Sequence, residues 1–130
     1  MTPSLPPGPS APAPCEVRLC RTRQPIASHA RMARSFRQRA VGLLTHSRLA
    51  PGEALILPDC ASIHMVGMRF AIDAIFVDRR WRVVAVRQGL KPGRFVLPIR
   101  GAWGVIEAGE GTIAQAGLRV GDQLELIGAP

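Results

Sequence analysis

Cys60, Ser62 and His64 stand two residues apart, and on a β-strand beginning at Cys60 that spacing sends all three side chains to one face. A thiolate within reach of an imidazole suits a soft metal ion, or serves as a nucleophile with its base. Met65 and Met68 add thioethers that Cu(I) would accept. Met65, however, belongs to the opposite face, and structural zinc wants four ligands. The plainer use of the same residues is a buried cysteine beside a hydrogen-bonded histidine, with the methionines filling core. The metal candidates are therefore only Cys60 and His64, no cofactor is expected, and no catalytic residue is assigned.

Two carboxylates lie among apolar neighbours. Asp73 interrupts Phe70-Ala71-Ile72-Asp73-Ala74-Ile75-Phe76-Val77, where a buried, unpaired carboxylate would cost several kcal/mol or be driven to protonate. It must have a partner: the guanidinium of Arg39 or Arg69, the imidazole of His64, or backbone amides of a neighbouring turn. In the first reading it pins a helix or loop to the sheet; in the second it reads a ligand in a cleft. Glu107, between Ile106 and Ala108, has a similar setting. The two acids invite comparison with a hydrolytic acid and base pair, although an alternating strand often presents a solvated glutamate.

The elements that must position these groups are legible as periods. Glu16 to Arg21 alternates as a half-buried strand, which Pro25 interrupts. Phe36, Ala40, Leu43 and Leu44 form a helical stripe over Ser35 to Leu44, with Ser35 as N-cap. After the Pro51-Gly52 turn, Ala54 to Leu57 reads as a buried strand. Ser62 to Met65, Ile72 to Val77 and Arg82 to Arg87 follow as strands, the last two forming a hairpin over Asp78 to Arg80. Lys91 to Gly93 is loop, and Trp103 to Glu107 is a further strand. Thr112 caps one helical turn through Leu118, and Gln123 to Ile127 is the closing strand after a turn at Gly121 and Asp122. The expectation is an α+β domain, mainly antiparallel β, in a small barrel-like or two-layer sheet with two short helices.

The chain has 130 residues, room for one ordinary domain. Six of its twelve prolines fall in Met1 to Pro14, a segment read as a disordered tail ahead of a single domain over residues 15–130. Three cysteines without a CxxC pair argue against a disulfide framework and for reduced thiols. No apolar run approaches the roughly 18 to 20 residues of a membrane span, and the N-terminus has neither the basic start nor the apolar stretch of a secretory signal. A cytoplasmic location, with no membrane among the partners, is expected. The net charge of +8 is uneven: residues 15–50 hold eight arginines against Glu16 alone. Arginines 18, 21, 23, 31, 34, 37 and 39 raise nucleic-acid binding as a function class. Against it stand the absence of tyrosine, the scarcity of other aromatics and the lack of any recognised nucleic-acid motif, so a solvated basic face is preferred.

The ordered run Arg39, Gly42-Leu43-Leu44, Gly52-Glu53-Ala54-Leu55-Ile56, Ser62-Ile63-His64-Met65 and Met68-Arg69-Phe70-Ala71-Ile72-Asp73-Ala74-Ile75-Phe76-Val77-Asp78 resembles the bacterial and archaeal domain of unknown function 192 family. Val105-Ile106-Glu107, Gly111-Thr112 and Gly117-Leu118-Arg119-Val120-Gly121-Asp122 look like its closing elements. The resemblance implies a small, mostly β, barrel-like domain. It departs at Ala71, where the family usually has proline, and near Val66, where an aromatic residue is common. The Gly-Asp element is also similar to the end of a PDZ domain, a likeness of turn chemistry in which Asp122 accepts backbone N–H bonds. The expected function is a noncatalytic binding or accessory role for a small ligand or protein partner, with a cleft around His64, Arg69, Asp73 and Glu107 and with Arg39 as a further candidate. The alternatives are a metal-binding or hydrolytic protein using Cys60 and His64 with Asp73, and nucleic-acid binding through the arginine-rich half.

Overall fold

A computed structural model describes residues 15–33 and 49–128. The tail at Met1 to Pro14, the helix at Ser35 to Leu44 and candidate Arg39 lie outside the described residues. Nine strands and one helix are described in the order β1 Cys15–Leu19, β2 Pro25–Met32, β3 Glu53–Leu57, β4 Ile63–His64, β5 Ile72–Val77, β6 Val83–Leu90, β7 Phe95–Val96, β8 Gly104–Gly109, α1 Thr112–Ala116 and β9 Leu124–Ile127. Seven strands form one sheet in the order β6-β5-β8-β3-β2-β1-β9, and β4 and β7 form a separate two-stranded ribbon.

The large sheet is antiparallel except where β2 runs parallel to β3. Its outer strands approach each other at one end. Arg82 bridges Gln123, with Val83 N–H donating to the Asp122 carbonyl at 2.8 Å and Leu124 N–H to that of Trp81 at 2.9 Å. This seam curls the sheet into a half-barrel.

Two apolar clusters cover the two faces. Val17, Leu19, Ile56, Ile75, Val77, Ile106, Ile113 and Leu124 belong to the cluster inside the curl. Leu55, Ile63, Met65, Met68, Ile72, Ala74, Phe76 and Val105 belong to the other, beneath the ribbon. Alternate residues of β5 therefore enter different clusters, which is why its six residues are all buried. Complete burial of each large side chain there contributes about 1.5 to 3 kcal/mol.

Several local expectations are corrected. Pro25 opens a strand instead of only ending one, since the first strand residue can forgo an N–H. A tight turn precedes it, in which Leu19 N–H donates to the Gln24 carbonyl at 2.9 Å. The ribbon strand β4 is only two residues long, and Cys60 precedes it in a loop. Strand β7, absent from the sequence reading, is its partner. Thr112 is the first helical residue and not the cap: Gly111 is the N-cap, and the Thr112 hydroxyl donates to the Gly109 carbonyl at 2.7 Å.

Turn chemistry holds the rest. Asp78 Oδ1 accepts from Arg80 N–H at 2.8 Å and Arg82 N–H at 3.0 Å, closing the β5–β6 hairpin. Asp122 accepts from Arg119 N–H at 2.9 Å and also from Arg21 Nε at 3.0 Å, which ties the β1–β2 turn to the approach of β9. The Arg21 bond, followed by that from Arg119, holds the Asp122 carboxyl below the usual carboxylate range against the opposing effect of burial. Burial pushes the Cys15 thiol up.

Candidate functional site

Period two decides where the two carboxylates go. In the β5–β8 register Asp73 lies opposite Ala108 and Ala74 opposite Glu107. Adjacent residues of a strand point to opposite faces, so Asp73 and Glu107, both fully buried, sit on opposite sides of one sheet. They cannot share a substrate atom as an acid and base pair.

Asp73 faces into the curl. Its Oδ1 accepts from Gly89 N–H at 2.9 Å, and its Oδ2 from Gly111 N–H at 3.2 Å and Ile113 N–H at 2.9 Å. The chain builds this cradle from two irregularities. Between the pairs Ile72–Leu90 and Ala74–Arg87 the β6 strand carries an extra residue, a bulge with Gly89 at φ 60°. Gly111 at φ 96° turns the chain into α1. Both are left-handed conformations that glycine adopts without a Cβ penalty. The helix has no cap from its own segment, so a carboxylate on a neighbouring strand satisfies its first donors. Of the partners weighed from sequence for Asp73, the structure supplies backbone amides.

Glu107 faces the ribbon. It is flanked across the sheet by Leu55 and Ala74, and it lines a groove of about 500 Å³ together with Ala33, Leu57, Cys60, Ser62, His64 and Leu97. Cys60, His64 and Glu107 all line this one groove. His64 is held by its pairing with Phe95 in the ribbon. Cys60 is placed by Trp103: Cys60 N–H donates to the Trp103 carbonyl at 2.7 Å, while Trp103 Nε1 donates to Asp59 Oδ1 at 2.9 Å. Trp103 is itself braced edge-on by Trp81 at 5.4 Å. The Cys60 thiol donates to the Ser62 carbonyl at 2.8 Å. Among the described residues no group of three His, Cys, Asp or Glu is placed to hold a metal ion.

Arg69 is exposed between the ribbon and β5 and is absent from the described lining of the groove. Met65 and Met68 are buried in the cluster beneath the ribbon. Sequence reasoning missed the apolar rim of the groove, Phe95 and Leu97, which are 66% and 72% exposed. Its one available signal was the apolar Phe95-Val96-Leu97 between Arg94 and Pro98.

A UPF0127 protein of Pyrococcus furiosus is 43% identical over 65 residues, covering 50% of this chain and 55% of that protein. A UPF0127 protein of Thermococcus sibiricus is 33% identical over 99 residues, covering 73% and 64%. The chain thus spans less than two thirds of the length of either relative. The crystal structure of a protein of unknown function from Novosphingobium aromaticivorans superposes with a TM-score of 0.72 at 26% identity, covering 96% of this chain and 93% of that one. The sequence pattern of DUF192, described as Uncharacterized ACR, COG1430, matches residues 17–126, from β1 through the sheet and both carboxylates into β9, and the chain belongs to that family.

Proposed function

We propose that this domain is a noncatalytic binding module whose ligand is a small molecule with an apolar body, seated in the groove between the ribbon and the sheet. The observation that carries this reading is the convergence of Cys60, His64 and Glu107, from separate elements, in an apolar-rimmed groove of about 500 Å³. Ligand sites combine an apolar lining with a few fixed polar groups in this way, at volumes of roughly 300 to 1,000 Å³. Asp73 is outside it, with its carboxylate occupied by the fold.

A neutral fluorescent probe, N-phenyl-1-naphthylamine, tests the reading. Saturable enhancement is expected with the wild-type chain. It should be lost in Ser62→Trp, which fills the groove from a half-buried position, at an unchanged Tm. No saturable signal, or a Ser62→Trp variant that binds as well as wild type, would overturn the proposal.

The second reading, chemistry through Cys60 and His64, is favoured by their shared groove. It cannot recruit Asp73, which is on the other face. In a Cys20→Ser background, which removes the exposed thiol, the alkylation rate of Cys60 separates the two. A noncatalytic site predicts the same rate with and without His64→Ala, whereas an imidazole-activated thiol predicts a fall of about tenfold or more. The third reading, nucleic-acid binding through the arginine-rich half, has less support: Arg18 pairs with Glu16 at 2.8 Å and Arg21 with Asp122.

A further inference from the structure

The exposed apolar surface of the ribbon extends past the groove that it rims, from Phe95 and Leu97 to Val66. Among the described residues four large apolar side chains are exposed, and three of them, Val66, Phe95 and Leu97 at 64%, 66% and 72%, lie on the ribbon or the turn beside it. Strand pairing explains the arrangement. Ile63 opposite Val96 turns into the cluster beneath the ribbon, which leaves His64 and its partner Phe95 on the other face. Leu97 and Val66 are each two residues further along.

The two turns at the end of the ribbon are locked together. Met65 N–H donates to the Arg94 carbonyl at 2.6 Å, and Gly93 N–H donates to the Met65 carbonyl at 2.9 Å. The apolar side chains are therefore presented by a fixed support.

The exposed charge around them is mainly basic. Arg69, Lys91, Arg94 and Arg100 are all exposed, against Asp59 as the exposed acid in the lining that Phe95 and Leu97 share. Nucleic acid would use the cations and one stacking surface at Phe95 but would gain little from the protruding aliphatic groups of Val66 and Leu97. A folded protein partner would need a complementary hollow for each projection. An anionic bilayer surface satisfies both features at once, since its headgroups attract cations and its fluid acyl boundary accepts projecting apolar side chains without a matched shape.

We infer that the β4–β7 ribbon docks this domain on anionic lipid surfaces, with Val66, Phe95 and Leu97 entering the interface and Arg69, Lys91, Arg94 and Arg100 facing the headgroups. This is a surface contact and requires no spanning segment. It shares Phe95 and Leu97 with the rim of the groove, and Ser62→Trp, which fills the groove, should leave vesicle binding unchanged.

Co-sedimentation of the full chain with vesicles tests it. Binding is expected to phosphatidylcholine vesicles containing phosphatidylglycerol, and not to phosphatidylcholine alone, and it should weaken as salt is added. Phe95→Ser with Leu97→Ser, a pair of exposed sites whose replacement should leave the Tm unchanged, should lower the affinity about tenfold or more through lost apolar insertion. Lys91→Glu with Arg94→Glu should abolish binding, whereas Arg79→Glu with Arg80→Glu, an equal change of charge at the β5–β6 hairpin, should weaken it far less. No binding to the anionic vesicles at low salt would overturn the inference. So would indifference to the Phe95 and Leu97 pair, or equal loss from both charge reversals, because either would mean that net charge alone holds the chain to lipid.

Discussion

The two faces of the sheet at the β5–β8 pair hold one buried carboxylate each, and the two acids have different neighbours. Asp73 is surrounded by backbone donors from three places: the β6 bulge, the N-cap of α1 and its first turn. Every bond it makes holds one part of the fold to another. Glu107 faces a groove wall that includes a thiol, an imidazole and exposed apolar side chains. Equal burial and similar sequence neighbours therefore do not imply equal surroundings. What separates them is the surroundings on each face: three backbone donors around Asp73, and the lining of the groove around Glu107.

The comparison breaks most decisively at Asp73. Asp73→Ala would leave the amides of Gly89, Gly111 and Ile113 without their acceptor, and a loss of about 3 kcal/mol or more is expected in urea denaturation. Asp73→Asn keeps the volume and one acceptor but sets an NH2 group against a donor, so about 1 to 3 kcal/mol should be lost. An asparagine variant as stable as wild type would mean that this carboxylate does not pin the fold.

Glu107→Gln sharpens the contrast. Glutamine retains size and one carbonyl acceptor, and the affinity for the naphthylamine probe should change by about threefold or more because an amide replaces the carboxyl group in the groove wall. A large stability loss with unchanged probe binding would move Glu107 to the structural side.

The smallest effect concerns Asp122, which combines the two situations by accepting a backbone amide and an exposed guanidinium. Its folded pKa is depressed, chiefly by the Arg21 bond. The stabilisation is therefore complete above the unfolded value of about 3.9 and is lost as pH falls through the lower folded value. Thermal melts should show a steeper decline below about pH 4 in wild type than in Asp122→Asn. Parallel declines would show that Arg21 contributes nothing measurable.

Much of this protein is dictated by local pattern. The run Ile72 to Val77 is apolar at every position but one, which demands a strand buried on both faces and a partner for its aspartate. Asp78 specifies the hairpin, and the alternation in β1 and β9 marks one face of each for burial. The pattern did not mark Pro25–Met32 or Phe95–Val96 as strands. The first runs parallel to β3 and the second spans two residues, so each owes its existence to a distant partner and not to its own periodicity. The site shows the same division. Period two dictates that neighbouring residues on a strand face opposite ways, but it is silent on what covers either face and on which strands lie side by side. Tertiary structure set β8 between β5 and β3, so that Glu107 falls opposite Ala74 and not beside Asp73. It also brought the uncapped start of α1 to Asp73 from a segment far along the chain. Those pairings depend on packing whole elements together, and no local window of sequence contains both halves of the contact.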